Sequence, residues 1–190
     1  MISEKLTEHI KVIEQTIQLY EKDILLIANT CIERLEAGGK IVLFGNGGSA
    51  ADAQHMAAEL VGNFNSKQRR ALPAIALTTD TSALTSISND FSYDDVFSRQ
   101  LEAFVSAKDV VIGISTSGTS KNVINALKLA KARQSFVVGL SGNEGGSMNS
   151  LCDRNIVVSS THTSRIQETH IFIAHCICDI IDKHFIKTAS

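Results

Sequence analysis

The chain has 190 residues, of which 44% are hydrophobic, so it is long enough for one domain with a sizeable core and too short for two ordinary ones. Its 18 basic and 20 acidic residues are spread along the sequence and give a formal charge of −2, which excludes the basic patch of nucleic-acid and anionic-membrane binders. Without a run of roughly 20 apolar residues or the apolar stretch of a signal peptide, we expect a cytoplasmic protein with no membrane or nucleic-acid partner.

An apolar stripe runs through the first part of the chain. Its members follow a 4-3-4-3-4-3-4 spacing: Leu6, Ile10, Ile13, Ile17, Tyr20, Ile24, Ile27 and Cys31. This is the a/d pattern of a helix that packs along other helices. The stripe can cover the chain's own sheet, but so regular a seam favours packing between subunits. We therefore predict one domain over 1–190, in which 1–36 form one or more packing helices and 37–190 an α/β core.

Short, almost wholly apolar runs rich in β-branched residues begin after Gly38-Gly39. Such runs, separated by helical stretches, are typical of parallel strands buried on both faces of a sheet. The predicted strands are Ile41–Phe44, Ala74–Leu77, Val110–Ile114, Phe136–Leu140 and Ile156–Val158. The predicted helices are 49–63, 81–88, 95–107, 120–132 and 164–186. The sequence thus predicts a three-layer αβα sandwich that binds ligands at the carboxyl ends of its strands.

The loop after the first predicted strand reads Gly45-Asn46-Gly47-Gly48-Ser49-Ala50. It formally fits the dinucleotide fingerprint G-x-G-x-x-A, but the acidic residue expected about 20 positions later, at the end of the second strand, does not appear there. A tight turn without a ligand is another alternative. We favour a contact between the backbone N–H groups of this loop and a sugar or a phosphate.

His55 and Glu59 follow this loop and are four positions apart. On a helix their side chains project from one face one turn apart, as two ligands of one ion or a proton-transfer pair must. Alternatively, His55 is a hydrogen-bonded interior histidine and Glu59 a solvated surface charge. Their pairing at helical spacing favours the chemical interpretation.

Two further polar segments are expected at the strand ends. Asn89-Asp90 is by itself typical of an ordinary turn, and only its expected place makes it a candidate contact for sugar hydroxyls. Residues 115–120 read Ser-Thr-Ser-Gly-Thr-Ser between a strand and a helix. Hydroxyls and N–H groups at a helix N-terminus suit an anion, although a capping loop with solvated hydroxyls is the alternative. Because one N-cap needs fewer hydroxyls, we favour a phosphate site.

The last predicted helix carries Gln167, His170 and His175. Gln167 and His175 are separated by a rise of about 12 Å on a continuous helix. They therefore converge poorly on one ion unless the helix start bends or they belong to different subunits. Glutamine is also a weak type of zinc ligand. Composition alone does not separate His170 from His175.

Four segments in collinear order resemble the phosphoheptose isomerases of the sugar isomerase (SIS) domain superfamily. They are GNGGSAADAQHMAAEL, Asn89-Asp90, GISTSGTSKNVI and RIQETHIFIAH. The serine loop is shared by the whole superfamily, whereas the arrangement of His55, Glu59, Gln167 and His175 is much more specific. The resemblance covers nearly the whole chain. It implies a five-stranded parallel sheet and a homotetramer with active sites between subunits.

The resemblance also implies an activity and its residues. The family interconverts sedoheptulose 7-phosphate and D-glycero-D-manno-heptose 7-phosphate through a cis-enediol, for bacterial heptose and lipopolysaccharide core precursors. Proton transfer is implied for Glu59 and His175. One zinc ion per subunit is implied at His55, Glu59, Gln167 and His175. Phosphate binding is implied for Ser115, Thr116, Ser117 and Ser120. Other substrate contacts are implied for Asn46, Gly47, Gly48, Ser49, Glu59, Asn89, Asp90 and Gln167.

One position departs from the family pattern. Asn63 stands where the family usually has an arginine after L-x-G, so a basic contact with the sugar phosphate is missing. Three cations on the following loop are candidates for a substitute charge: Lys67, Arg69 and Arg70.

A noncatalytic function is the alternative class. One SIS relative, a replication-initiator-associating protein, keeps the same outline but replaces the carboxylate and the second histidine. Glu59 and His175 are both present here, and they supply the base and the acid that a ketose–aldose isomerisation needs. A sugar-phosphate-sensing regulator is disfavoured because the sequence carries no DNA-binding domain or basic patch.

Overall fold

The computed structural model describes residues 1–65 and 67–187. In this part of the chain five parallel strands form one sheet: β1 (Ile41–Gly45), β2 (Ala74–Ala76), β3 (Val110–Ser115), β4 (Phe136–Ser141) and β5 (Arg154–Val157). Their order across the sheet is β2-β1-β3-β4-β5. Both β1 and β3 are buried along their whole length. The predicted parallel sheet is confirmed.

Helices cover both faces of the sheet. Within the described residues they are α1 (Ile2–Glu36), α2 (Gly48–Val61), α3 (Thr81–Asp90), α4 (Val96–Phe104), α5 (Lys121–Ala132), α6 (Met148–Leu151) and α7 (Thr163–Lys187). A 3-10 turn, Tyr93–Asp95, precedes α4. None of the described helices combines the length and the apolar character needed to cross a membrane.

The end of α3 differs from the prediction. Asp80 caps this helix, because its Oδ1 accepts a hydrogen bond from Ala83 N at 2.9 Å. The helical hydrogen bonds continue to Phe91 N, which donates to Ile87 O. Asn89 and Asp90 are therefore the last residues of α3, and their assignment to a turn between elements was wrong.

The sheet separates two apolar layers, because alternate strand residues point to opposite faces. Ile41 and Leu43 face the layer formed with α1, α2 and α7. Val42 and Phe44 face the layer formed with α3, α4, α5 and α6. Since α7 contacts both α1 and α2, it lies beside the helix that carries His55 and Glu59.

The apolar stripe on α1 is divided between two environments. Ile24, Ile27 and Cys31 are buried against α7 and the sheet. Leu6 and Ile10, in contrast, are 57% and 46% exposed. Packing within the chain thus explains the second half of the stripe, whereas the first half presents apolar side chains to solvent.

The order in which the chain adds strands to the sheet changes direction at β1: β2 is added on one side of β1 and β3 on the other. Ile41 pairs with Ala74 of β2 on one side and with Val110 of β3 on the other. The helices that follow β1 and β3, which are α2 and α5, lie on opposite faces of the sheet. A crevice therefore opens between their N-termini at the carboxyl edge, which is where open α/β sheets bind ligands. The glycine and serine loops both border it.

Candidate functional site

The glycine turn connects β1 directly to α2. Gly47 is the N-cap of α2 and has φ 57°, a left-handed conformation that favours glycine. Gly48 lies against the last helix, because a Cβ there would come within 2.4 Å of Gln167 Nε2. Both glycines are exposed, whereas Ser49 is buried. The turn thus presents backbone to the crevice and brings Gln167 to its edge.

A reciprocal pair of amide hydrogen bonds holds Asn46. Its Nδ2 donates to Asn122 Oδ1 at 2.9 Å, and Asn122 Nδ2 donates to Asn46 Oδ1 at 2.9 Å. The Tyr93 hydroxyl donates to the same Asn46 oxygen at 3.1 Å. Asn122 is buried in α5, so the pair spans the crevice from β1 to α5. Neither Asn122 nor Tyr93 has a sequence signal, because they lie 76 and 47 residues from their partner.

The hydroxyls of the serine loop, residues 115–120, cluster between β3 and α5. Ser115 Oγ lies 2.9 Å from Ser120 Oγ and 3.4 Å from Ser117 Oγ. Ser120 occupies the N-cap of α5, yet its hydroxyl contacts Ser115 instead of capping the helix. Gly118 has φ 68°, and a Cβ there would lie 2.2 Å from Gly145 O, so the turn requires glycine. Clustered hydroxyls at a helix N-terminus suit an anion.

Three more predicted substrate contacts are Thr116 in the serine loop and Asn89 and Asp90 at the end of α3. Thr116 is half-buried, and its carbonyl oxygen accepts a hydrogen bond from Asn143 Nδ2 at 2.8 Å. Asn89 and Asp90 are exposed at the end of α3, where Asn89 Nδ2 donates to Asp90 Oδ1 at 2.8 Å. All three residues have polar groups available for a sugar phosphate. Asn89 and Asp90 offer theirs from the end of a helix and not from a loop.

His55 and Glu59 lie on one face of α2, and His175 of α7 meets them. His55 Nε2 is 3.1 Å from His175 Nε2 and 3.2 Å from Glu59 Oε1. One ligand atom from each residue lies within 4.8 Å of the other two. The opposite face of α2 buries Met56 and Leu60 in the core, which fixes the direction of the polar face. The cluster remains accessible, since the His55 side chain is 47% exposed.

Two of the three separations in this cluster are close to those around a tetrahedral zinc ion. With zinc–ligand distances of 2.0 to 2.2 Å, neighbouring ligand atoms lie about 3.4 Å apart. The observed separations of 3.1 Å from His55 to His175 and 3.2 Å from His55 to Glu59 are close to that value. Imidazole nitrogen and carboxylate oxygen are also donors that zinc prefers. Gln167 lies two turns before His175 on the continuous helix α7.

Two neighbours of the cluster have no sequence signal. The Phe64 ring packs on the His175 ring with centroids 5.6 Å apart, which restricts the orientation of the imidazole. Asp52 lies one turn before His55 on α2. Burial raises the pKa of the Asp52 carboxyl, and this effect outweighs the opposite influence of His55.

The cations proposed as a substitute for the missing arginine occupy different environments. The Arg69 side chain is 0% exposed and forms an ion pair with Asp182, so its charge is not available to a substrate and that prediction was wrong. The Arg70 guanidinium lies 4.9 Å from the centre of the Phe185 ring, and the residue is exposed. Lys67 is also exposed.

The chain is similar to known proteins over nearly its whole length. The family model described as SIS domain matches residues 6–142. Phosphoheptose isomerase 1 of Campylobacter jejuni is 53% identical over 185 residues, which cover 97% of this chain and 98% of that protein. The solved structure of a phosphoheptose isomerase from Neisseria gonorrhoeae gives a TM-score of 0.89 at 42% identity, covering 96% and 97% of the two chains. A phosphoheptose isomerase from Francisella tularensis gives 0.92 at 34% identity, covering 96% of each.

Proposed function

The chain belongs to the SIS-domain family of phosphoheptose isomerases, and we propose that it interconverts sedoheptulose 7-phosphate and D-glycero-D-manno-heptose 7-phosphate. The reaction moves hydrogen between C1 and C2 of an open-chain sugar and converts a ketose into an aldose. The product is a precursor of bacterial heptose and of the lipopolysaccharide core.

The convergence of Glu59 and His175 carries this proposal. Separate helices bring the Glu59 carboxylate and the His175 imidazole to one accessible cluster, where one ligand atom of each lies within 4.8 Å of the other. A ketose–aldose isomerisation needs these two residue types on either side of the C1–C2 bond.

The two residues have complementary roles in proton transfer. Glu59 removes the proton from the carbon next to the carbonyl and returns it to the neighbouring carbon, through a cis-enediol. His175 moves protons between the two oxygens, which limits the negative charge that develops on the enediol. The Phe64 ring holds the His175 imidazole in a fixed orientation while it does so.

His55, Glu59 and His175 are the proposed zinc ligands, and because α7 is continuous, the fourth ligand, Gln167, is expected from a different subunit of the proposed tetramer. The distances of 3.1 and 3.2 Å within the cluster support this assignment. Zinc, when bound, polarises the carbonyl and stabilises negative charge on the enediol oxygens. Glu59 would hold the ion with one carboxylate oxygen and act as the base with the other.

The serine loop is the proposed phosphate site, with Ser115, Thr116, Ser117 and Ser120 as its contacts. The hydroxyl cluster at the N-terminus of α5 supports this role. Sugar hydroxyls contact the remaining predicted positions: Asn46, Gly47, Gly48, Ser49, Glu59, Asn89, Asp90 and Gln167. The phosphate thus anchors one end of the open-chain sugar while C1 and C2 reach the cluster.

We also propose that the protein is a homotetramer and acts in the cytoplasm. Its support is the apolar surface on α1, where Leu6, Ile10 and Leu19 are exposed. Burial of these side chains between subunits would remove apolar area from water, which favours association.

The decisive experiment supplies the purified protein with sedoheptulose 7-phosphate in deuterated water. We expect an aldoheptose phosphate that carries deuterium at C2, detected by mass spectrometry and proton NMR. Neither product nor exchange at a substrate concentration well above millimolar would refute the proposed reaction.

Chelation tests the metal assignment separately. Removal of divalent ions should lower turnover, and added zinc should restore it, with about one zinc per chain by metal analysis. An active protein without a bound divalent ion would leave Glu59 and His175 as base and acid alone.

A further inference from the structure

A buried ion pair joins α7 to Arg69, in the segment that follows α2. Arg69 Nε donates to Asp182 Oδ1 at 2.5 Å, and the two side chains are 0% and 1% exposed. We propose that Arg69 and Asp182 form a clamp that sets the position of Glu59 relative to His175. This inference rests on the proposed function, because it assigns these two residues the placement of its base and acid.

The guanidinium of Arg69 closes the C-terminus of α2. The last carbonyl groups of a helix have no partner within the helix. Arg69 Nη2 donates to Glu59 O at 2.8 Å, and Nη1 donates to Leu60 O at 2.9 Å. A longer bond of 3.4 Å reaches Gly62 O. The cation thus lies at the negative end of the helix dipole and holds the backbone of the proposed base directly.

Asp182 anchors the other side of the clamp. It lies on α7 nearly two turns after His175, so both residues occupy the same face of that helix. Its Oδ2 accepts a hydrogen bond from Asn65 N at 3.1 Å, in the segment that follows α2. The carboxylate therefore binds both the cation and the chain at the end of α2, and fixes them against the face that carries His175.

The chemistry of the Arg69–Asp182 ion pair indicates that it positions α2 relative to α7. Burying two charges costs about as much as their attraction returns, and apolar residues of similar volume often stabilise such a site equally well. The guanidinium fork of Arg69, however, donates to Asp182 from Nε and to carbonyl groups of α2 from Nη1 and Nη2, which fixes a distance and a rotation as apolar packing does not. A displacement of 1 Å at a reacting group can cost about 100-fold in rate. The clamp keeps α2 and α7 from sliding by such a distance.

The test replaces both partners at once, with Arg69→Met/Asp182→Leu, so that no unpaired charge stays buried. We expect kcat to fall at least about 10-fold and zinc affinity to fall by a similar factor, the usual range for groups that orient metal ligands. KM should stay within about threefold of wild type, since the serine loop is untouched. Zinc affinity is measured by competition with a chromogenic chelator.

A matched control breaks an ion pair between the residues that precede β1 and β3. Lys40 Nζ lies 2.8 Å from Asp109 Oδ2, and the Asp109 side chain is 1% exposed. In Lys40→Met, Asp109 keeps hydrogen bonds from the Lys40 and Ser106 backbone N–H groups. We expect this variant to change thermal stability without changing kcat or zinc affinity.

Arg69→Lys decides the question if the double variant does not fold. Lysine keeps the charge but cannot form the fork, so smaller losses of kcat and zinc affinity are expected. Values within twofold of wild type for both quantities, in the double variant or in Arg69→Lys, would overturn the clamp. If the wild-type protein does not isomerise the sugar, the proposed function fails, whereas the comparison of zinc affinities still tests the clamp.

Discussion

The proposed function gives Glu59 two tasks, because the zinc ion and the reacting carbon would both require its carboxylate. Its Oε1 lies 3.2 Å from His55 Nε2, on the side where the histidines meet. Its backbone carbonyl is held by Arg69 at 2.8 Å, so the residue is fixed from behind while the carboxylate points to the cluster. A carboxylate offers two oxygens, and one can face the ion while the other faces the substrate.

Glu59→Gln separates these tasks. The amide keeps the shape of the side chain but cannot act as a base, so we expect kcat to fall about 100-fold or more while sugar-phosphate binding is retained. Binding is measured by calorimetry, and a zinc assay on the same sample reports any loss of metal. A variant that still exchanges the C1 or C2 proton with deuterated solvent at the wild-type rate would remove Glu59 from the mechanism.

Asn122→Ala tests the amide pair at the crevice. The substitution removes both Asn122 hydrogen bonds to Asn46, which keeps the bond from the Tyr93 hydroxyl, and leaves Val123 N without the Asn122 Oδ1 acceptor at 2.9 Å. We therefore expect KM to rise about 10-fold and stability to fall by about 1 to 2 kcal/mol. Asn125→Ala is the matched control one turn later, where Nδ2 donates to Asp94 O. It should lower stability slightly and leave KM unchanged. Equal effects of the two variants on KM would contradict the role of Asn122.

Helix α7 is held at both ends, and this determines where His175 lies. Near its start, Glu168 accepts a hydrogen bond from Arg165 at 2.5 Å and lies 2.7 Å from His9 Nδ1 of α1. Near its end, Asp182 binds Arg69. Fixed between α1 and the end of α2, the helix presents His175 to His55.

The middle of α7 is tied to the sheet by a buried histidine. His170 Nε2 donates to Ser141 O at the end of β4, at 3.0 Å. Burial lowers the pKa of His170 to about 4, despite the opposite effect of this hydrogen bond. The residue is therefore neutral in the folded protein at ordinary pH and serves as a structural contact.

The low pKa of His170 predicts acid sensitivity. Between pH 6.5 and 4 the unfolded chain binds one more proton at this residue than the folded chain, so the free energy of unfolding decreases as pH falls through this window. Between pH 7 and pH 5, the titration of His170 lowers the free energy of unfolding by about 2 kcal/mol. His170→Gln can still donate to Ser141 O but does not titrate. Guanidinium unfolding at pH 7 and pH 5 should show a smaller decrease in the free energy of unfolding for His170→Gln than for the wild type. An equal decrease in the two proteins would contradict the prediction.

The whole molecule carries apolar surface that a monomer would leave in water. Leu19, Leu25 and Phe172 are 67%, 45% and 39% exposed on α1 and α7. We expect light scattering to give a mass of about 82 kDa, four times the 20.5 kDa chain. Leu25→Glu should dissociate the assembly and, if active sites are shared between subunits, remove activity with it.

The control for assembly lies on the other face of the sheet. Phe104 of α4 is 51% exposed, and Phe104→Glu should leave the mass unchanged. A wild-type protein that remains monomeric at micromolar concentration would contradict the tetramer.

Much of the fold could be predicted from local patterns. Runs such as Val110–Ile114 are apolar throughout because both faces of a parallel strand are covered, and this property is visible without any partner. The boundaries were less certain. Asn89 and Asp90 were expected in a turn because they are polar, but the Asp80 cap and continued helical hydrogen bonding keep them in α3.

Local patterns were enough to predict the order of strands and helices along the chain, the two polar loops and the His55/Glu59 pair, because each depends on spacing within one element. The packing of the elements was needed to show that His170 faces the core, that Asn122 holds Asn46, and that Arg69 is enclosed with Asp182, and it agrees with the resemblance in bringing His175 to His55. These contacts join residues far apart in the chain. They depend on how α2, α5 and α7 pack around the sheet, which no local pattern specifies.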